Sequence, residues 1–151
     1  MENREADYYF AMYRKFLNSY NEFMMSKLKR YALSPNEIVV ITCMKESSKA
    51  SEIASMADVS KALISRSVKY LKNKGLIEIK LDSKDKREQT LSLTNTGEEL
   101  YDLIEKYKAE FYEKAFEGFS ADERAVLQAL LKLMGNNLNN VWGDIWKQKN
   151  Y

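Results

Sequence analysis

The 151-residue chain contains no histidine and one cysteine, Cys43. Without histidine it lacks the commonest metal ligand and the usual general base near neutral pH, and one cysteine cannot close an internal disulfide. Structural zinc, Ser-His-Asp and Cys-His chemistry are excluded together. There is no Gly-rich phosphate loop and no paired-acid motif, so the residues give no support to an enzyme or to a bound cofactor. The one proline and five glycines do not gather into a linker. No internal repeat is present, and the only biased tract, Asn136-Asn137-Leu138-Asn139-Asn140, suggests no function. No apolar run approaches the roughly 18 residues of a membrane span. The opening MENREADYYF alternates charges where a secretory signal would be basic and then apolar, which implies a cytoplasmic protein without a membrane partner.

What is present suits one ordinary domain with its own core, since 45% of the residues are hydrophobic. The net charge of +2 hides a partition. Residues 1–47 carry 7 basic and 6 acidic side chains, a net of +1; residues 48–90 carry 10 and 6, a net of +4; residues 91–151 carry 7 and 10, a net of −3. Positive charge therefore collects in the middle third, and phosphate would repel the last.

Within that middle third, Ser60 to Lys74 holds Lys61, Arg66, Lys69, Lys72 and Lys74 and no acid. At about 100° per residue, Ile64, Val68 and Leu71 form one apolar stripe, while Ala62, Ser65, Arg66, Lys69 and Asn73 point the other way. Ser60 suits the N-cap of this helix and Gly75 its C′ position. After Gly75 the period becomes two. Ile77, Ile79 and Leu81 alternate with polar residues, as do Gln89, Leu91 and Leu93, which predicts a two-stranded ribbon with Ser83 to Arg87 at its tip. Upstream, SEIASMADVS supplies a short helix and a tight turn. Helix, turn, cationic helix and hairpin in this order is the layout of a winged helix-turn-helix, whose second helix enters the DNA major groove.

The wing sequence Asp85-Lys86-Arg87, with Leu93, Thr94 and Gly97 after it, resembles that of the MarR family of bacterial transcriptional regulators. The resemblance extends over nearly the whole chain in layout and about a third of it in motif. Asp58 departs from it, standing where glycine is common, although Asp tolerates left-handed backbone better than most residues. The resemblance implies a mainly α fold: a winged helix-turn-helix with a two-stranded β wing over about residues 32–94, and dimerisation helices over about 1–31 and 95–151. It implies a homodimer that represses or otherwise regulates transcription from a pseudo-palindromic operator in double-stranded DNA. It also implies a small aromatic or amphipathic effector, in a pocket lined by Tyr13, Phe16 and Tyr20, which serve equally well as core. The DNA-contacting set is Ser60, Lys61, Ala62, Ser65, Arg66, Lys69, Lys84, Lys86 and Arg87, with Asp85 holding the Arg87 guanidinium outward. The rival reading is a winged-helix module that meets an acidic protein; Arg87 at the tip favours a minor groove instead.

The flanking segments complete the expectation. Asp7 to Tyr31 reads as an aromatic-rich helix. Ser34-Pro35-Asn36-Glu37 has capping-box spacing with proline at the first helical position. Cys43 reads as a buried small hydrophobe, and the first helix has no cysteine of the kind that the family's peroxide-sensing branch uses there. Ser51 is expected to cap the short helix, with Ile53 inward and Ala54 permitting a close crossing. Thr94 should cap a long helix with Leu100, Leu103, Ile104, Tyr107 and Phe111 in a stripe, broken at Glu117-Gly118-Phe119. Ser120 to Glu123 then opens a helix of about 27 residues, roughly 40 Å long, whose apolar residues run from Val126 to Ile145 and Trp146.

Overall fold

The computed structural model describes residues 2–85 and 87–149, with side chains described over 4–85 and 87–141. In chain order the elements are α1 (Glu2–Lys27), a 3-10 turn (Lys29–Tyr31), α2 (Pro35–Cys43), α3 (Ala50–Met56), α4 (Lys61–Asn73), β1 (Ile77–Leu81), β2 (Gln89–Leu93), α5 (Asn95–Ala115) and α6 (Ala121–Lys149). The fold is mainly α with a two-stranded antiparallel wing. Two compact units divide it, Met1–Phe111 and Tyr112–Tyr151.

In the first unit the core forms where α2 and α3 pack on α4 and where α3 meets β2. Ile38, Ile41, Ile53, Ile64, Val68, Leu71 and Leu91 are buried there, in one cluster with Leu100 and Ile104 of α5. Each such side chain removed from water contributes about 1.5–3 kcal/mol before the cost of ordering it. The predicted stripe of α4 is thus the inward one. Ala54 is 8% exposed, a small residue where α3 crosses α4.

Local signals set most boundaries. Glu37 takes the backbone amide of Ser34 at 2.6 Å and also meets its hydroxyl, fixing the start of α2. Ser60 Oγ accepts the Leu63 amide at 3.2 Å. Thr94 Oγ1 accepts the Gly97 amide at 3.1 Å while its own hydroxyl donates to the Gly75 carbonyl at 2.7 Å, so one side chain caps α5 and ties it to the end of α4. Gly75 has φ +70° and Asp58 φ +53°, as a helix C′ position and a tight inter-helix turn require.

Two expectations need correction. The first helix begins earlier and stops at Lys27, with a separate 3-10 turn carrying the chain to Tyr31. Ser51 does not cap α3. The cap position falls on Lys49, whose side chain makes no capping bond, because Lys49 is drawn into extended backbone by a bridge to Thr90 and by the Leu91 amide bonding Ser48 O at 2.7 Å.

The wing register pairs Ile77 with Leu93, Ile79 with Leu91 and Leu81 with Gln89. Burial falls outward along β1: Ile77 is 2% exposed, Ile79 half-buried and Leu81 61% exposed.

Along α1, Phe16, Tyr20 and Phe23 surround the Phe111 ring with centroids 5.3–5.5 Å away. Other large apolar side chains of α1 lie in solvent, Tyr8 and Phe10 at 63% and 67%. In the second unit, Gly118 turns the chain at φ +85° and Ser120 and Glu123 exchange bonds at 2.8 and 3.2 Å to start α6. Arg124 grips Glu113 at 3.1 and 3.4 Å and lies over the Tyr112 ring. Beyond it, Val126, Leu130, Leu131, Leu133, Leu138 and Val141 are each 43–59% exposed. The side chains of Ile145 and Trp146 lie outside the described residues. At 29 residues α6 is about 44 Å long. Among the described residues no helix is long and apolar enough to cross a membrane.

Candidate nucleic-acid interface

With Ile64, Val68 and Leu71 inward, the opposite side of α4 is left to Lys61, Ala62, Ser65, Arg66 and Lys69, all exposed. Ser60 is exposed beside them as the cap. Among the described residues none of Lys61, Arg66, Lys69, Lys84 or Arg87 has a carboxylate partner. Small Ala62 and Ser65 between the cations leave the helix backbone approachable.

The wing tip is built by its own short-range bonds. Asp82 Oδ1 accepts the amides of Lys84 at 2.6 Å and Asp85 at 3.1 Å, and the Asp82 amide closes the loop onto the Glu88 carbonyl at 3.1 Å. The two amides, Lys84 first, hold the Asp82 carboxyl below the usual carboxylate range. Asp85 Oδ1 accepts the Arg87 backbone amide at 2.9 Å. The carboxylate therefore grips the main chain of Arg87 and, among the described residues, makes no ion pair with its guanidinium. This corrects the expected contact, and the reason is local: an Asp side chain reaches the amide two residues on as an Asx turn without ordering a long side chain. Lys84, Asp85 and Arg87 are exposed, and Lys86 lies outside the described residues.

A cleft of about 540 Å³ lies between α3, the first half of α4 and the tip end of the wing. Lys61, Ser65 and Arg87 line it with Ser51, Ser55 and Glu88. The structure thus brings three of the expected site residues around one concavity, while Ala62, Arg66 and Lys69 lie outside its lining. Ser51, misread as a cap, donates its hydroxyl to Glu88 Oε1 at 3.0 Å, linking the helix-turn-helix to the wing.

The residues expected to line an effector pocket are placed differently from one another. Tyr20 is half-buried on Phe111, its hydroxyl pushed up by burial and then by Glu105. Phe16 packs on the same ring, while Tyr13 is 44% exposed. Cys43, the last residue of α2, is half-buried, and burial followed by Glu46 raises its thiol.

Sequence reasoning missed Ser67. It is 3% exposed, on the inner side of α4, and donates to Glu37 Oε1 at 3.0 Å. At −60° from Ile64 on the helical wheel it falls on the buried arc, and a polar residue there was the signal.

Residues 44–88, the stretch from the end of α2 through the wing tip, match the MarR family model. Among curated relatives, the chain is 30% identical over 91 residues to the uncharacterized HTH-type transcriptional regulator YdgJ of Bacillus subtilis (strain 168); the match covers 60% of this chain. The chain spans just over half, 56%, of that relative's length. Of solved structures, the MarR protein from Peptoclostridium difficile is 25% identical, with TM-score 0.83 over 90% of each chain. BpsR of Bordetella bronchiseptica, solved as a mechanism for regulation of DNA binding by 6-hydroxynicotinic acid, shares the fold at TM-score 0.72 and 17% identity, over 83% of this chain and 96% of that one. The matched segment is the one that builds the cationic helix and its wing, and over that segment the chain is similar to the MarR family.

Proposed function

We propose that the protein is a sequence-specific DNA-binding transcriptional regulator that grips a pseudo-palindromic operator as a homodimer. One observation carries this reading: a cationic helix face without acid partners among the described residues stands beside a wing whose Arg87 lines the same cleft as Lys61 and Ser65. In this reading α4 lies in the major groove, where Arg66 pairs with a guanine edge, and Arg87 reaches a narrow minor groove with its negative potential. Lys61, Lys69, Lys84 and Lys86 contact phosphate, and Ala62 and Ser65 permit close approach. The exposed apolar faces of α1 and α6 meet those of a second copy, which accounts for the large apolar side chains exposed on each helix. A small aromatic effector bound near Tyr13, Phe16 and Tyr20 alters the spacing of the two reading heads; the ligand control of BpsR supports this step.

The test is selection of duplexes from a random pool, followed by titration of the enriched sequence at one fixed salt concentration. An enriched two-fold-symmetric site bound far more tightly than random duplex is expected. Recovery of no preferred sequence would reject the reading and favour an acidic protein partner. A panel of phenolic compounds that leaves both melting temperature and DNA affinity unchanged would remove the effector step.

A further inference from the structure

Ser67 on the inner side of α4 and half-buried Tyr70 on its flank make two polar contacts that the packing does not require. Ser67, in the middle of the helix, donates to Glu37 Oε1 at 3.0 Å, and one turn later the Tyr70 hydroxyl donates to the Ala32 carbonyl at 2.6 Å. The acceptors are Ala32, in the connection that leaves α1, and Glu37, in the first turn of α2. Ala32 is itself unusual, at φ +51° and ψ +44°, a left-handed conformation that is strained for a residue with a Cβ. Glu37 uses its other oxygen for Ser34, so a single carboxylate spans the start of α2 and the centre of α4. A serine buried inside a helix is a poor choice for stability: alanine has the higher helix propensity and buries no hydroxyl. A local rule broken at a buried position, with a specific partner waiting, marks a residue kept for geometry.

We propose that Ser67 and Tyr70 are positioning residues for DNA reading: they tie the reading helix to Ala32 and to the first turn of α2, and so fix its attitude in the groove. The proposal rests on the reading that α4 reads DNA. The tie cannot bias the helix by more than its own net strength, so each bond is worth roughly a twofold to tenfold preference for the correct attitude. That preference enters sequence discrimination, because base-edge contacts need the exact attitude and phosphate contacts do not.

The test uses the full chain, with Ser67→Ala, Tyr70→Phe and Glu37→Gln. Two quantities are read beside melting temperature: amide exchange across α4 and the connection, and the affinity ratio between a duplex enriched by the wild-type chain and random duplex. Ser67→Ala is expected to melt at or above wild type, exchange faster in α4 and lose twofold to tenfold in the ratio, with random-duplex affinity nearly unchanged. Tyr70→Phe should lose as much. Glu37→Gln should keep most of the ratio, since its amide can donate to Ser67 Oγ while its oxygen still takes the Ser34 amide. Unchanged exchange, or an unchanged ratio, in both Ser67→Ala and Tyr70→Phe would overturn the proposal, as would equal losses on both duplexes. If the wild-type chain enriches no sequence, the DNA-reading function fails and this role with it; faster exchange in the variants would then identify that failure as one of function rather than of the tie.

Discussion

Gly97 offers the sharpest test of how the wing is fixed to the rest of the chain. It lies in the first turn of α5, and a Cβ there would stand 2.0 Å from the Leu76 carbonyl oxygen, 3.1 Å from the carbon behind it and 3.3 Å from Leu93 Cβ. The obstruction is backbone, so rotating a side chain gives no relief. The Leu76 carbonyl is also committed: it accepts the Thr94 amide at 3.1 Å, while the Leu76 amide bonds Leu71 O at 3.0 Å. For Gly97→Ala the strand must retreat by about 1 Å to reach ordinary contact. Overpacking of this kind costs about 1–3 kcal/mol, and one or two strained hydrogen bonds add about 1 kcal/mol each. Alanine returns about 1 kcal/mol through helix propensity. The net expectation is a loss of about 1–4 kcal/mol, a lower urea midpoint at one fixed protein concentration, and weaker binding to the selected duplex because the wing is displaced. Propensity alone predicts the opposite sign, so a Gly97→Ala protein as stable as wild type, or more so, would refute the close-packing argument.

Four other outcomes follow from the geometry. Arg66→Ala should cost about 1–3 kcal/mol on the selected duplex and much less on random DNA, whereas Arg87→Ala should weaken both more evenly; titrations in which neither variant changes would reject the DNA-reading surface. Asp85→Ala should weaken binding although it removes a negative charge near phosphate, because the Arg87 amide loses its acceptor, and tighter binding would show that simple electrostatics wins. Because the folded Asp82 carboxyl is held below its ordinary value, the order that it lends the tip is present above the unfolded carboxylate range and is lost only as pH falls through the lower folded value. Amide shifts of Lys84 and Asp85 should therefore hold into acid below the usual carboxylate midpoint, and their collapse at that midpoint would contradict the bond geometry. Replacing Val126 and Leu130 together by Glu should yield monomers by sedimentation, and a stable dimer would exclude α6 from the interface.

The parts of the fold that could be read from the chain are those governed by short-range rules. Ser60, Gly75, Thr94 and Ser120 mark helix ends because each satisfies or releases backbone groups within a few residues. The α4 stripe and the wing alternation follow from fixed periods. What escaped depends on partners distant in sequence. Lys49 took the cap position from Ser51 because Thr90 pairs with it across the fold. Ser67 gained its role from Glu37, thirty positions away. The Asp85 error was of another sort: the acid and Arg87 were correctly paired, but an amide two residues on is a nearer acceptor's target than a mobile guanidinium. At the candidate site, the cationic residues could be listed from composition, whereas the gathering of Lys61, Ser65 and Arg87 about one cleft required the fold.

The outward loss of burial along β1 makes the wing a cantilever, clamped at Ile77 and unsupported by the core at Leu81. Beyond that point, among the described residues, the tip is shaped by Asp82, Asp85 and the Asp82–Glu88 closure, and the Ser51–Glu88 bond ties it back to α3. Its shape is therefore set by a handful of polar bonds rather than by the hydrophobic interior. Residues 83–87 can be lengthened, shortened or recharged at little expense to folding, since a longer closed loop adds only a fraction of a kcal/mol per doubling, about 0.6. The base of the same hairpin, pressed by Leu76 against Gly97, tolerates no such change. On the proposed reading, variation in how the wing meets a nucleic-acid backbone can thus accumulate at one end of a ribbon while its other end stays fixed.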